Sequence, residues 1–212
     1  MSADSNEDLH RLFATPVQLL HRVITDEACD ALVQMLRSRT SVGNERSSSL
    51  FHTALMEPGQ DAGIDALARQ LLPFIQEFGA LLLGEMRPWS IKEMWGNVMQ
   101  QGGHQSIHNH ANCMLSGIVY LTSTVDSTQT VFVKSMGGQD YKLSNENQRT
   151  KPTAFNSQRW RAPQASPGDA LLFPSYLLHE VPLNQGAERM TVAFNAIPDR
   201  IDAWGYGLSF GA

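Results

Sequence analysis

Apolar positions follow two different rhythms along the chain, and the change comes at Pro88. Before it, Ala28, Cys29, Leu32, Val33 and Leu36 recur at intervals that place them on one helical face. Thr25 or Asp26 suits the N-cap, so a helix is predicted to about Arg39. A second helical stretch runs from Ile64 to about Leu83, with a kink or break expected at Pro73. Residues 10–24 read as extended and, with Pro16 among them, as an edge strand at best. Residues 40–60 carry Ser, Gly and Pro and read as loop.

After Pro88 the period shortens to that of strands. Residues 90–99 predict one strand and Gln100–Gly103 a turn. Residues 114–123 and 130–135 predict two more, with the polar turn 125–129 between them. Residues 136–166 have no periodicity, and a loop that long inside a folded domain is usually a lid or a binding segment. A Pro167-Gly168-Asp169 turn then leads to a strand at 170–174, and the last strand is expected at 189–197. The pattern predicts a single domain over 1–212. Residues 1–88 form a helical support, and residues 89–200 a mainly β core with helices packed on one face, a sandwich or jelly roll.

Composition narrows the function classes. The 212 residues carry 16 basic and 21 acidic side chains, a formal net charge of −5, and 42% of positions are apolar, which excludes a disordered chain. A mildly acidic chain without a Lys/Arg cluster is not expected to take nucleic acid as its main partner. No apolar run approaches the ~20 residues of a membrane helix, and the polar start does not read as a signal peptide. Cys29 and Cys113 cannot build a disulfide scaffold, and the expected setting is cytoplasmic.

The candidate chemistry is histidine. His104, His108 and His110 crowd into seven positions, and His179 stands alone downstream. Two residues apart on a strand, His108 and His110 point to one side and can converge on a metal, with His179 as the natural third ligand. His104 could instead ligate, or orient a ligand. Imidazole alone does not choose among iron, copper, nickel and zinc. In Arg189-Met190-Thr191-Val192-Ala193-Phe194-Asn195, alternation puts Arg189, Thr191, Ala193 and Asn195 on one face and the apolar residues on the other. An Arg–Thr pair facing away from a core suits carboxylate capture, because guanidinium grips a carboxylate with two bonds.

These pieces resemble the Fe(II)/2-oxoglutarate-dependent oxygenases, which carry H-x-(D/E)…H and, about ten residues later, Arg-x-Ser/Thr. The order is closest to a branch that reads W-x-N, H-x-H, S-G-x-x-Y, G-x-x-x-x-F-P-x-x-x-x-H, R and F-N. Here these are Trp95-Gly96-Asn97, His108-Asn109-His110, Ser116-Gly117-Ile118-Val119-Tyr120, Gly168 through Phe173-Pro174 to His179, Arg189, and Phe194-Asn195. The resemblance covers roughly residues 90–197. It implies a double-stranded β-helix with Fe(II) held by His108 and His179, and 2-oxoglutarate bound through Arg189 with help from Thr191. Tyr120, Asn97 and Asn195 are further cosubstrate contacts on this basis.

His110 stands where most of that superfamily has an Asp or Glu ligand, leaving the centre one unit more positive than a 2-His-1-carboxylate site. Ligation by His110 is the favoured reading; a ring turned away would open a coordination position. The implied reaction is decarboxylation of 2-oxoglutarate with O2, coupled to oxidation of a C–H bond, usually by hydroxylation. Lys142, Arg149, Lys151, Arg159 and Arg161 in the long loop would favour an anionic small-molecule substrate. The Gly-rich aromatic C-terminus would cover an edge or serve a homodimer contact. Two alternatives stay open: a cupin-type three-histidine iron dioxygenase without 2-oxoglutarate, and a non-catalytic jelly-roll module for a small ligand.

Overall fold

The N-terminal rhythm resolves into two helices. α1 (Asp26–Ser38) starts on Thr25, whose side chain accepts the Ala28 N–H, and buries Cys29, Leu32 and Leu36. α2 (Ala62–Leu83) starts on Asp61, whose carboxylate accepts the N–H groups of Gly63 and Ile64 at 2.8 and 3.1 Å. It ends at Gly84, with φ 76°, a left-handed turn suited to glycine. The break expected at Pro73 does not occur, and α2 runs through it. An interior proline costs about 3 kcal/mol. Ile64, Leu67, Leu71, Ile75 and Phe78 are buried along one face, each worth ~1.5–3 kcal/mol, which outweighs that cost. The structure, a computed structural model, describes residues 13–39, 42–44, 47–57, 59–136, 145 and 147–210.

The described strands are β1 (Gln18–Leu20), β2 (Val42–Asn44), β3 (Ser47–His52), β4 (Trp89–Met99), β5 (Gln105–His108), β6 (Leu115–Tyr120) and β7 (Val131–Val133). There follow β8 (Arg159–Arg161), β9 (Ala170–Pro174), β10 (His179–Val181), β11 (Arg189–Pro198), β12 (Arg200–Ala203) and β13 (Tyr206–Ser209). One antiparallel sheet has the order β1-β9-β6-β11-β4-β3-β2, a second the order β5-β10-β7-β8, and β12 and β13 form a hairpin. The chain is mainly β with two helices, and β1 lies at a sheet edge as predicted.

Three expectations need correction, and one predicted turn joins two sheets. Residues 40–60 hold β2 and β3; Leu50 and His52 pair with Met99 and Asn97 of β4. The half-polar SSSLFH takes its strand identity from that distant partner rather than from its own pattern. β6 and β7 flank the predicted turn but belong to different sheets. Part of 136–166 is ordered as β8 on β7, while Lys142 lies outside the described residues. β11 is not the last strand, since the C-terminal segment folds back as β12–β13.

The large sheet has two apolar faces. On one, Val119 of β6, Leu172 of β9 and Met190, Val192 and Phe194 of β11 pack with Leu32, Leu36, Leu71 and Phe78 of the helices. On the other, Ile118, Tyr120, Leu171 and Phe173 meet Phe132 of the small sheet. Two positions show how close these approaches are. A Cβ on Gly117 would stand 2.2 Å from the Phe194 ring, and one on Gly96 2.2 Å from Leu36 Cδ2. The glycine of W-G-N, Gly96, therefore admits Leu36 of helix α1 to the sheet surface, and that of S-G-x-x-Y, Gly117, admits the Phe194 ring.

Candidate metal centre

Residues directly opposed in neighbouring antiparallel strands share a face. In the small sheet His108 opposes His179, His179 opposes Phe132, and Phe132 opposes Trp160, so one row of rings faces the large sheet. In the large sheet His52, Asn97, Thr191 and Tyr120 form a row on the facing side. Parallel rows contain Met99 with Arg189, Trp95 with Ala193 and Ile118, and Glu93 with Asn195, Ser116 and Phe173. The layer between the sheets thus holds nearly every polar residue singled out from the sequence.

One candidate nitrogen from each of His108, His110 and His179 lies within 4.8 Å of the others. Ring centroids are 4.2 Å apart for His108–His179, 5.1 Å for His108–His110 and 5.2 Å for His110–His179. The convergence of His110 has a different origin from the one predicted. β5 ends at His108, and the His110 N–H bonds the Ser175 carbonyl at 3.0 Å, so a loop rather than strand alternation turns its ring inward.

Two rings have the same local fixation. His108 Nδ1 lies 2.8 Å from the Ser106 carbonyl and His179 Nδ1 lies 2.9 Å from the Leu177 carbonyl. A carbonyl can only accept, so each Nδ1 carries a proton and each Nε2 is the nitrogen left for a metal. The His110 ring makes no hydrogen bond among the described residues; Trp95 packs against it at 5.7 Å. Burial, reinforced by His108, holds His179 down at about 3; burial and then His108 hold His110 at about 4, against an opposing pull from Glu93. Both rings are therefore neutral at physiological pH, as metal ligands must be.

Arg189 carries the second half of the site. It is 4% exposed, and its Nε and Nη2 have no hydrogen-bond partner among the described residues. Its Nη1 reaches Thr191 Oγ1 at 3.5 Å, and its guanidinium lies 5.4 Å from the Tyr120 ring centre. Burial lowers its pKa, with Tyr120 acting in the opposite direction. A guanidinium nonetheless stays charged, and a buried charge with idle donors is costly unless an anion joins it. The residues therefore fit a divalent metal beside a carboxylate-bearing ligand.

The remaining predicted contacts are engaged. Asn97 Oδ1 meets His52 Nδ1 at 2.7 Å, and His52 Nε2 meets Asn44 Nδ2 at 2.8 Å. Tyr120 Oη lies 3.1 Å from Thr130 Oγ1. Asn195 donates to Glu93 Oε1 at 2.6 Å and accepts from Ser116 at 2.7 Å, so both ends of its amide are already used. His104 lies outside the three-histidine cluster. Cys29 and Cys113 are free, and burial pushes the Cys29 thiol up to about 11. Sequence reasoning missed Glu93, although stepping back by two from Asn97 and Trp95 on the same strand would have found it.

Residues 93–195 match a family model described as "Putative 2OG-Fe(II) oxygenase". No curated protein matches the chain. Among solved structures, it is similar to HygX of Streptomyces hygroscopicus with nickel and 2-oxoglutarate bound, at 14% identity and a TM-score of 0.63, covering 87% of this chain and 83% of that one. A Pseudomonas putida prolyl-4-hydroxylase is similar at 18% identity and a TM-score of 0.60, covering 87% and 94%. The epimerase SnoN from nogalamycin biosynthesis gives 15% identity and a TM-score of 0.64 over 88% and 80%.

Proposed function

From the match of residues 93–195 to the 2OG-Fe(II) oxygenase family model, we propose that the chain is such an oxygenase and hydroxylates a C–H bond of a small or amino-acid-like molecule. The core on which it does so is a double-stranded β-helix, or jelly roll, with α1 and α2 on one face. The balance is that one atom of O2 enters succinate and the other the product alcohol, with CO2 leaving from 2-oxoglutarate. Fe(II) supplies the activation of O2.

The observation that carries this reading is the idle Arg189 guanidinium in the same layer as three converging imidazoles. His108, His110 and His179 would hold the iron. Arg189 takes the distal carboxylate of 2-oxoglutarate through two parallel bonds, and Thr191 steadies the guanidinium. Tyr120 and Asn97 stand in the same strand row as Thr191, the latter amide kept in place by His52. Phe132 and Phe173 pack on the His179 ring at 6.1 and 4.8 Å and keep water from that side. A cupin-type dioxygenase without 2-oxoglutarate would leave Arg189 without an anion.

Anaerobic titration of the metal-free protein with Fe(II) and 2-oxoglutarate tests the proposal. A visible metal-to-ligand charge-transfer band that requires both is expected, followed by succinate formation in air. Iron binding without the band would overturn it.

A further inference from the structure

The layer between the sheets contains one further charged group that the oxygenase reading does not use. Glu93 and Trp95 stand two residues apart on β4, on the side that carries Asn97 and faces the histidines. We propose that Glu93 and Trp95 form a subsite for an ammonium group on the molecule to be oxidised; this rests on the oxygenase reading and names its substrate class.

Glu93 is held firmly. One carboxylate oxygen accepts from Asn195, and Asn195 accepts from Ser116, both 1% exposed. These partners are neutral, and no cationic side chain pairs with Glu93 among the described residues. A partly buried carboxylate fixed by an amide, with an oxygen to spare, is a receptor for a cation. Alternation places Glu93 about 7 Å along the strand from Trp95, whose ring lies 5.7 Å from that of His110. A carboxylate beside an aromatic face is the chemistry that receives an amine, by ion pairing and by attraction to the ring. The amine would then lie against the centre without occupying it.

The distribution of cations agrees. On β8 only Trp160 shares the inward row, with Phe132 and His179, so Arg159 and Arg161 project to the opposite side. Arg159 is engaged there by Glu180 at 2.8 Å. An anionic substrate, which the loop cations favoured on sequence grounds, would meet Glu93 instead of these arginines. Arg189 lies two strand rows beyond Trp95 and is matched to the cosubstrate.

The test uses three probes that share a phenyl ring on a three-carbon chain, 3-phenylpropylamine, 3-phenylpropanol and 3-phenylpropionate. Each is titrated calorimetrically into protein loaded with Ni(II) and 2-oxoglutarate. The amine is expected to bind about tenfold tighter than the other two. Glu93→Gln should bring the amine and the alcohol within about twofold of each other, while Glu93→Asp keeps the preference. Equal binding of all three probes to the unaltered protein, or a preference that survives Glu93→Gln, would overturn the proposal. The charge-transfer band with Fe(II) and 2-oxoglutarate is read separately in each protein. Its absence from the unaltered protein would overturn the oxygenase reading, whereas its persistence in Glu93→Gln without amine preference supports the subsite.

Discussion

His108 and His179 oppose each other across β5 and β10 with ring centroids 4.2 Å apart, and each donates Nδ1 to the carbonyl two residues before it. Just beyond this pair the register slips, so that Ser106 and Ile107 stand against the single residue Glu180. Such an irregularity bends the strand and re-aims the side chain beside it. A pair locked in this way predicts a graded set of metal-binding losses. His179→Ala should remove stoichiometric Fe(II) binding. His110→Ala, which deletes the ring without a carbonyl bond, should weaken it by about tenfold, ~1.4 kcal/mol, and His110→Asp should restore it. Equilibrium dialysis with Fe(II) under argon measures all three.

Arg189 separates stability from function. Arg189→Met removes a buried charge with two idle donors, so the ligand-free protein should melt at the same temperature or higher. Affinity for 2-oxoglutarate should fall by about 30-fold or more, ~2 kcal/mol, with metal binding kept. Calorimetric melting with and without 2-oxoglutarate checks both. A large destabilisation of the ligand-free variant would assign Arg189 a structural part.

The pH response follows from the depressed pKa values of His179, about 3, and His110, about 4. Unfolded, both rings titrate near 6.5. Above that pH the two states bind equal numbers of protons and these rings contribute no slope. Below it the unfolded chain gains protons that the folded one refuses, so stability falls with pH down to about 4 for His110 and about 3 for His179. Chelator-treated protein should hold its melting temperature from pH 8 to 7 and lose it progressively between 6 and 4.

Gly117 carries a prediction remote from the metal. A methyl group there would meet the Phe194 ring at 2.2 Å, and both neighbours are buried. Gly117→Ala should cost ~1–3 kcal/mol in denaturant unfolding. Saturating Fe(II) and 2-oxoglutarate should still give the charge-transfer band, since Phe194 faces the helices and not the histidines.

The sequence by itself determined the helical third, the β core and the site's ligand types, because these are short-range properties. Thr25 and Asp61 cap helices wherever the chain goes, and alternation from Arg189 to Asn195 divides the residues between two faces whatever those faces meet. The order of H-x-H, His179 and Arg189 marked the cluster for the same reason. Tertiary structure decided what depends on distant partners. β3 and β8 exist as strands because β4 and β7 offer unpaired edges to weakly patterned segments. α2 survives Pro73 because five apolar side chains are buried along it. His110 joins the other rings through a loop bond to Ser175, and Glu93 comes into the same layer only because two sheets close over it. Spacing states which side of its own element a residue occupies; only packing states what lies opposite, and that is where charge and burial acquire their energies.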